Sequence, residues 1–488
     1  MITRLSVMFA SLWIAGACIA ATHREDRRPN IVVILADDLG AHDLGCTGSD
    51  YHETPHLDRM AREGLRFARA YAAAPVCSPT RAALLTGRSP ARLGITIWAE
   101  GSRGGPKDRP LIQAESRHDL PHSEQTLATV LGRAGYLTAL VGKWHLGDAD
   151  HAPETHGFDV NIGGTRWGAP QTFFWPYRGR GRFAGEFRYV PHLEFGRPGE
   201  YLTDRLTDEA IRVIDRGVAE GRPFFLYFAH HAPHTPIEGK PELVERYRKR
   251  LRPGSVHRNP AYAAMVHSLD ESVGRVLARL DHHEIGGETW VIFTSDNGGY
   301  IGSAEFEGRA IPVTSNHPLR SGKGTCYEGG LRVPLIVRAP GAAVGKVCEE
   351  PVVTTDLFPT ILRAAGCATP EGVELDGEVL TPLLTDPEAR LGRDSIAFHY
   401  PHYYHAPIST PVGALVSRKW KLLEFFESGR LELYDLASDP GESVDQARSS
   451  PERVESMRLE LADRRARVGA RMPTPNPAAV RRIEGSTP

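Results

Sequence analysis

Few residues of this 488-residue chain have the types and spacing to do chemistry together: Asp37-Asp38, Cys77 with Arg81, Lys143 with His145, the histidines of His230-His231-Ala232-Pro233-His234, Asp296-Asn297, and Lys323. Adjacent carboxylates are costly to bury unless a metal or a cation neutralises them. Standing alone, the Asp pair would read as a turn or helix cap. Asp296-Asn297 offers two hard oxygen donors ahead of Gly298-Gly299, where the backbone can turn sharply. In Cys77-Ser78-Pro79-Thr80-Arg81, Ser78 suits a helix cap and Pro79 the first helical position. Cys77 then falls at a helix N-terminus, where free N–H groups and the macrodipole favour an anion, with Arg81 one turn on. A lone cysteine there is more often a buried structural residue. Lys143 and His145 share a direction only on an extended backbone, and a solvated surface pair is the ordinary alternative. The three histidines suggest zinc, but Pro233 and Pro236 prevent the helical spacing that zinc histidine pairs use.

The elements that must position these residues are legible in outline. Ile31-Val32-Val33-Ile34-Leu35 is a continuous β-branched run, the pattern of a strand buried on both faces. Residues 137–141, 224–228, 290–293 and 335–337 read the same way. Helical patterns cover residues 123–134, 204–220, 261–280 and 356–365, and a short helix opens at Thr54-Pro55 and ends near Gly64. Strands alternating with helices imply an α/β sandwich with a mostly parallel central sheet, whose ligands bind beyond the carboxyl ends of the strands. Asp37-Asp38, Lys143 and His145, His234, and Asp296-Asn297 each follow a strand at that end. Lys323 lies in a second glycine-rich loop, residues 321–330. Residues 150–200 are irregular and carry no assignment. From about residue 370 short strands at 412–416, 421–426 and 431–434 suggest an antiparallel sheet, followed by a helix from 451 to about 467. The resulting division is a catalytic domain at 22–370, a smaller α+β domain at 371–470, and a Pro-rich tail at 471–488 expected to be disordered.

Composition bounds the rest. Hydrophobic content of 41%, charged content of 24% and net charge −2 are those of an ordinary globular protein, without a global field for nucleic acid or membrane. Residues 1–21 read as a secretory signal, placing the protein in the periplasm or outside the cell. The apolar run is too short for a membrane span, which needs about 20 residues. A lipoprotein anchor at Cys18 is the weaker reading, because the usual Leu three residues before it is missing. Six cysteines without Cys-x-x-Cys spacing signal neither a disulfide scaffold nor a zinc-thiolate site. One disulfide among Cys46, Cys326, Cys348 and Cys367 stays open.

Cys77-x-Pro79-x-Arg81, followed by Leu84 or Leu85 and then Thr86-Gly87-Arg88, resembles the signature of the type I sulfatases (Cys-x-Pro-x-Arg, then Leu-x-Thr-Gly-Arg), in the alkaline-phosphatase superfamily. The likeness runs from about Pro29 to Glu442. It implies an alkaline-phosphatase-like sandwich in which Cys77 is oxidised to formylglycine by a maturation enzyme. The family's metal ligands fall on Asp37, Asp38, Asp296 and Asn297, completed by the formylglycine from Cys77. Its sulfate-binding and proton-handling residues fall on Arg81, Lys143, His145, His234 and Lys323, with His231 as an extra contact. Oxygen-only shells favour calcium before magnesium. The implied activity is hydrolysis of a sulfate ester, with a sulfated carbohydrate expected and a small-molecule ester as the other substrate class. Two alternatives are a phosphomonoester or phosphonate hydrolase on the same scaffold, and an inactive glycan-binding relative. The stretch from His399 to His405 reads either as a solvated loop or as a sugar-binding rim, with His402 and Tyr403 as its contacts.

Overall fold

The computed structural model describes residues 28–103, 108–181, 186–404 and 409–479. The signal segment with Cys18, and the tail beyond 479, lie outside them. Its frame is a nine-stranded sheet built from β1 (Asn30–Ala36), β2 (Leu65–Tyr71), β3 (Leu137–Gly142), β4 (Val160–Ile162), β5 (Phe224–Ala229), β6 (Thr289–Ser295), β7 (Arg332–Arg338), β8 (Lys346–Cys348) and β9 (Val352–Val353). The order across it is β8-β2-β7-β6-β1-β5-β3-β4, with β9 also paired to β2. Neighbours run parallel except at β7, which is antiparallel to both β2 and β6.

The side-chain alternation of β1 shows why its sequence is apolar throughout. Ile31, Val33 and Leu35 enter one core with Ala82, Leu84 and Leu85 of helix α2 (Cys77–Thr86), Leu127 and Leu131 of α3 (Leu127–Arg133) and Phe358 and Ile361 of α7 (Leu357–Ala364). Val32 and Ile34 enter the opposite core, with Leu57 and Met60 of α1 (Pro55–Glu63), Leu206 and Val213 of α4 (Leu202–Glu220) and Met265 and Leu269 of α6 (Pro260–His282). A strand covered by helices on both faces has no solvent side, and each fully buried branched aliphatic contributes about 1.5–3 kcal/mol. Helix α5 (Pro241–Arg250) packs on the outside of α6.

Beyond the large sheet, β10 (Ser395–Tyr400), β11 (Val412–Ser417), β12 (Trp420–Phe425) and β13 (Leu431–Asp435) form a four-stranded antiparallel sheet. One face packs Phe398, Ala414 and Leu423 against Tyr71, Val76, Ala83 and Leu331 of the larger unit. The other carries Leu415, Leu422 and Leu433 under Val454, Met457 and Leu461 of α8 (Pro451–Arg467).

Several expectations need correction. Helix α3 begins at Leu127, capped by the Thr126 hydroxyl, rather than at 123. The tail is not disordered throughout, since Thr474–Pro475 pairs with Leu111–Ile112 and the Asn476 amide donates to the Arg109 carbonyl at 2.8 Å. Cys46, Cys326, Cys348 and Cys367 are all free thiols, so no disulfide joins them. Among the described residues no helix is long and apolar enough to cross a membrane.

Candidate active site

The strand directions gather the polar residues at one edge of the large sheet. β1 ends into Asp37-Asp38, β6 into Asp296-Asn297, β3 into Lys143 and β5 into His230-His231. β2 runs the same way and leads to α2. Because β7 is reversed, the loop before it, which carries Lys323, emerges at that same edge.

Helix α2 starts at Cys77 itself, two residues before the expected first position at Pro79. Ser78 is no cap; its hydroxyl donates to the His145 carbonyl at 2.8 Å and ties the two loops together. The Thr80 hydroxyl accepts from the Ala74 N–H at 3.1 Å, fixing the turn that delivers the cysteine. Gly87 ends the helix at φ 68°, its N–H on the Ala83 carbonyl. Every residue of α2 is buried, so Arg81 is an interior cation.

Around Cys77 the distances are short. Its thiol donates to Asp37 Oδ1 at 3.5 Å and accepts from Lys323 Nζ at 3.4 Å. Lys323 also reaches Asp38 Oδ1 at 2.6 Å, and Lys143 reaches Asp37 Oδ2 at 2.7 Å. The Arg81 guanidinium holds Asp296 Oδ2 through Nε at 2.9 Å and Nη2 at 2.8 Å, and donates to the Lys143 carbonyl at 3.1 Å. His234 Nε2 lies 3.6 Å from Asp38 Oδ2. The Asn297 amide N–H₂ donates to Asp38 Oδ1 at 2.7 Å and to the Gly298 carbonyl. The sequence-derived metal positions therefore meet in one volume with Arg81, Lys143, His234 and Lys323, and His145 is tied to them through its carbonyl on Ser78.

Three carboxylates, Asp37, Asp38 and Asp296, face three cations, Arg81, Lys143 and Lys323, all of them buried. Burial, then the Asp296 charge, pushes Asp37 up to about 7. Burial would raise Asp296 too, but Arg81, Lys143 and Lys323 outweigh it and hold this carboxyl below the usual range. The Cys77 thiol moves opposite to what a helix N-terminus alone would do: burial, then Asp296, pushes it up to about 12. A plain thiol here stays protonated and is a poor nucleophile. His234 falls to about 3 through burial and the adjacent Lys323.

The donors also fit a hard cation. Ligand atoms of Asp37, Asp38, Cys77 and His234 lie within 4.8 Å of one another. The Asn297 Oδ1 is buried without a hydrogen-bond partner, the state expected of an oxygen that a metal would satisfy. Asp38 sits at φ 65° and His145 at φ 60°, so two site residues hold left-handed backbone that other side chains disfavour. His145 thus reaches the site without the extended backbone first expected.

Other expected contacts divide. His231 is buried with both ring nitrogens unpartnered, beside the cluster. His230 instead lies behind it, against Phe228 and 3.4 Å from the Ser272 hydroxyl. His402 is neither solvated nor on a rim, because it is fully buried with Nε2 2.7 Å from the Thr96 hydroxyl. Tyr403 is largely buried, its hydroxyl accepting from the Leu111 N–H at 3.3 Å. The neighbouring Tyr404 turns the other way, against Gly324 beside Lys323, with its ring edge-to-face on Trp98 at 5.7 Å.

Sequence reasoning missed the supports. Asp43 is fully buried and accepts from the Gly40 N–H at 2.8 Å and the Tyr262 hydroxyl at 2.6 Å, bracing the turn that bears Asp38. The Asn316 side chain binds both backbone groups of Gly299, at 3.2 and 2.9 Å, and so fixes the loop after Asn297. Glu100 lies 3.8 Å from His145 Nε2. No periodicity or motif marks these three.

The arrangement, three buried carboxylates, an unpartnered amide oxygen and three fixed cations around one side chain, is suited to binding a tetrahedral oxyanion ester beside a metal. Comparison with known proteins agrees. The model of the Sulfatase family matches residues 29–367, and that of the N-sulphoglucosamine sulphohydrolase C-terminal region matches residues 321–467. The chain is 36% identical to mouse (Mus musculus) steryl-sulfatase over 492 residues, covering 86% of this chain and 75% of the relative. It is 38% identical to human (Homo sapiens) N-acetylgalactosamine-6-sulfatase over 377 residues, covering 73% of this chain and 66% of that one. Among solved structures, Ps i-CgsB superposes with TM-score 0.75 at 30% identity, covering 90% of this chain and 93% of that chain. The same protein has been solved in complex with k-i-k-neocarrahexaose, and in that form superposes with TM-score 0.74. The chain belongs to the sulfatase family and is a sulfuric ester hydrolase.

Proposed function

We propose that this enzyme is exported and removes sulfate from a carbohydrate ester, using formylglycine made from Cys77 and a calcium ion held by Asp37, Asp38, Asp296 and Asn297. The observation that carries the reading is the convergence of these five residues with Arg81, Lys143 and Lys323 in one buried volume. The oxygen donors favour calcium over magnesium, whose strict octahedron a crowded protein shell meets less readily. Once bound, the metal would polarise a sulfate oxygen and favour the ionised form of the nucleophile. Formylglycine would supply a hydrated aldehyde, one hydroxyl to attack sulfur and a second to expel sulfate afterwards, which a thiol lacks.

The chain's own residues supply the rest. Arg81, locked by Asp296 and the Lys143 carbonyl, and Lys143, locked by Asp37, are fixed cations facing charge that grows on the sulfate oxygens. Lys323 spans Cys77 and Asp38, remains charged at rest, and is the proton donor to the leaving oxygen, with neutral His234 beside it. His145 accepts a proton from the second hydroxyl when sulfate is expelled. Burial keeps bulk water from competing with these contacts.

Carbohydrate as substrate is supported by the relative named for N-acetylgalactosamine-6-sulfate and by the neighbour solved with neocarrahexaose. Export is supported by the apolar segment of residues 5–17 after Arg4. The test is kcat/KM for an aryl sulfate, an aryl phosphate, estrone sulfate and a panel of sulfated mono- and oligosaccharides. A sulfated saccharide should lead the ranking. A lead for estrone sulfate contradicts the substrate class, and a lead for the phosphate contradicts the reaction.

A further inference from the structure

The site has a burial gradient that defines its mouth. Asp37, Arg81, Lys143, Asp296 and Asn297 are 0% exposed and form the floor. Among the described residues of the cluster the most exposed are His145 at 8%, Lys323 at 7% and the His234 side chain at 16%. The organic part of a sulfate ester whose oxygens rest on the floor therefore leaves between these three residues. What stands beside them decides which leaving groups fit.

On the Lys323 side stand two aromatic rings, Tyr404 against Gly324 and Trp98 edge-on to it at 75°. On the His145 side stands Glu100, its carboxylate 3.8 Å from the imidazole and its side chain 32% exposed. Trp98 and Glu100 are two residues apart, so wall and carboxylate belong to one short segment, Trp98 preceding and Glu100 lying within the helix Ala99–Arg103. Burial would raise the Glu100 carboxyl, but the neighbouring His145 imidazole and the Arg188 charge outweigh it and hold the carboxyl below its usual range. Arg188 is the cation beyond His145 whose field reaches Glu100, and it is paired with Glu186. A fixed negative charge thus guards the entrance to a site built for anions, where no metal ligand or sulfate contact calls for one.

We propose that Glu100 is a specificity-determining residue, selecting sulfate esters whose leaving ring is otherwise uncharged and rejecting those with a second sulfate or a carboxylate near the scissile group. The inference rests on the sulfatase reading of the site and narrows its substrate class to singly charged esters whose uncharged, ring-shaped leaving group is set against Trp98 and Tyr404. Two like charges several ångströms apart at a partly solvated mouth repel by about 1 kcal/mol, equivalent to about fivefold in rate.

The test compares phenyl sulfate with 3-carboxyphenyl sulfate, two esters that differ by one carboxylate on the leaving ring. kcat/KM for each is measured with the wild type, Glu100→Gln and Glu100→Lys. The ratio of the two esters cancels their intrinsic reactivities and any common effect of Glu100 on His145. Glu100→Gln is expected to raise relative use of the carboxylated ester about fivefold, and Glu100→Lys further. A ratio that stays constant while both rates fall together overturns the proposal and leaves Glu100 acting only through His145. Turnover of neither ester by the wild type overturns instead the sulfatase reading beneath it.

Discussion

Lys421 is a buried cation of the smaller sheet, and its replacement tests how that sheet supports the site. Its Nζ lies 3.0 Å from Glu328 Oε1 and 2.9 Å from Glu442 Oε1, all three side chains closed to solvent. Glu328 opens the short helix that follows the Lys323 loop, and its N–H donates to Glu442 Oε2 at 2.7 Å. In Lys421→Met, Glu328 retains Arg332 at 3.7 Å, while Glu442 is left without a cation. Breaking a buried pair by removing one partner costs about 3–5 kcal/mol. The cost depends on pH because burial already lifts the Glu442 carboxyl up to about 7, against the pull of Lys421. A carboxyl raised on folding binds its proton more tightly in the folded state, so its contribution is greatest below the unfolded value and declines as pH rises through the folded one. Without Lys421 the folded value rises further and the decline extends above 7. Urea unfolding should therefore show a loss of about 4 kcal/mol at about pH 8 and roughly half that at about pH 5.5, where Glu442 is protonated in both proteins. Glu442→Gln, which leaves Lys421 paired with Glu328, should cost about 1 kcal/mol. A loss that is the same at both pH values, or below about 1 kcal/mol at the higher one, would refute the reasoning.

Four further outcomes are expected. Asp296→Ala should lower kcat by about a thousandfold or more and abolish calcium binding by calorimetry, whereas unchanged binding removes Asp296 from the metal shell. Treatment with a chelator should abolish activity, with calcium restoring more of it than magnesium; full activity of the stripped protein contradicts the metal assignment. His402→Ala should cost about 1–3 kcal/mol of stability by leaving the Thr96 hydroxyl unpaired, with equal effects on aryl and glycan sulfates, while Tyr404→Ala should impair the glycan ester more than the aryl ester.

Much of the site is legible in the sequence because its residues follow apolar strands whose pattern is unambiguous. Asp37, Lys143, His231 and Asp296 each sit just past such a run, and parallel strands with shared direction deliver them together. Lys323 precedes its strand, so only the reversal of β7 explains its place, and the residue pattern does not encode strand direction. β2 escapes notice because Arg66 and Arg69 interrupt its apolar positions, although Leu65, Phe67 and Tyr71 are buried. The misreading of His402 has a related cause: β10 ends at Tyr400, so the aromatic stretch continues a buried edge strand and is not a surface loop. Glu100, Asp43 and Asn316 act through loops that meet only in the folded chain, where no spacing rule reaches.

The central claim is that Cys77 works as formylglycine rather than as a thiol. The structure sharpens it, because a thiol buried among Asp37, Asp38 and Asp296 stays protonated, and a hard cation pairs poorly with sulfur. Mass spectrometry of the tryptic peptide covering residues 70–81, taken from active protein, measures the side chain directly. The account predicts an aldehyde at position 77, at a level that tracks specific activity across preparations, and a folded but inactive Cys77→Ala. Full activity from protein whose Cys77 is wholly a thiol would contradict it.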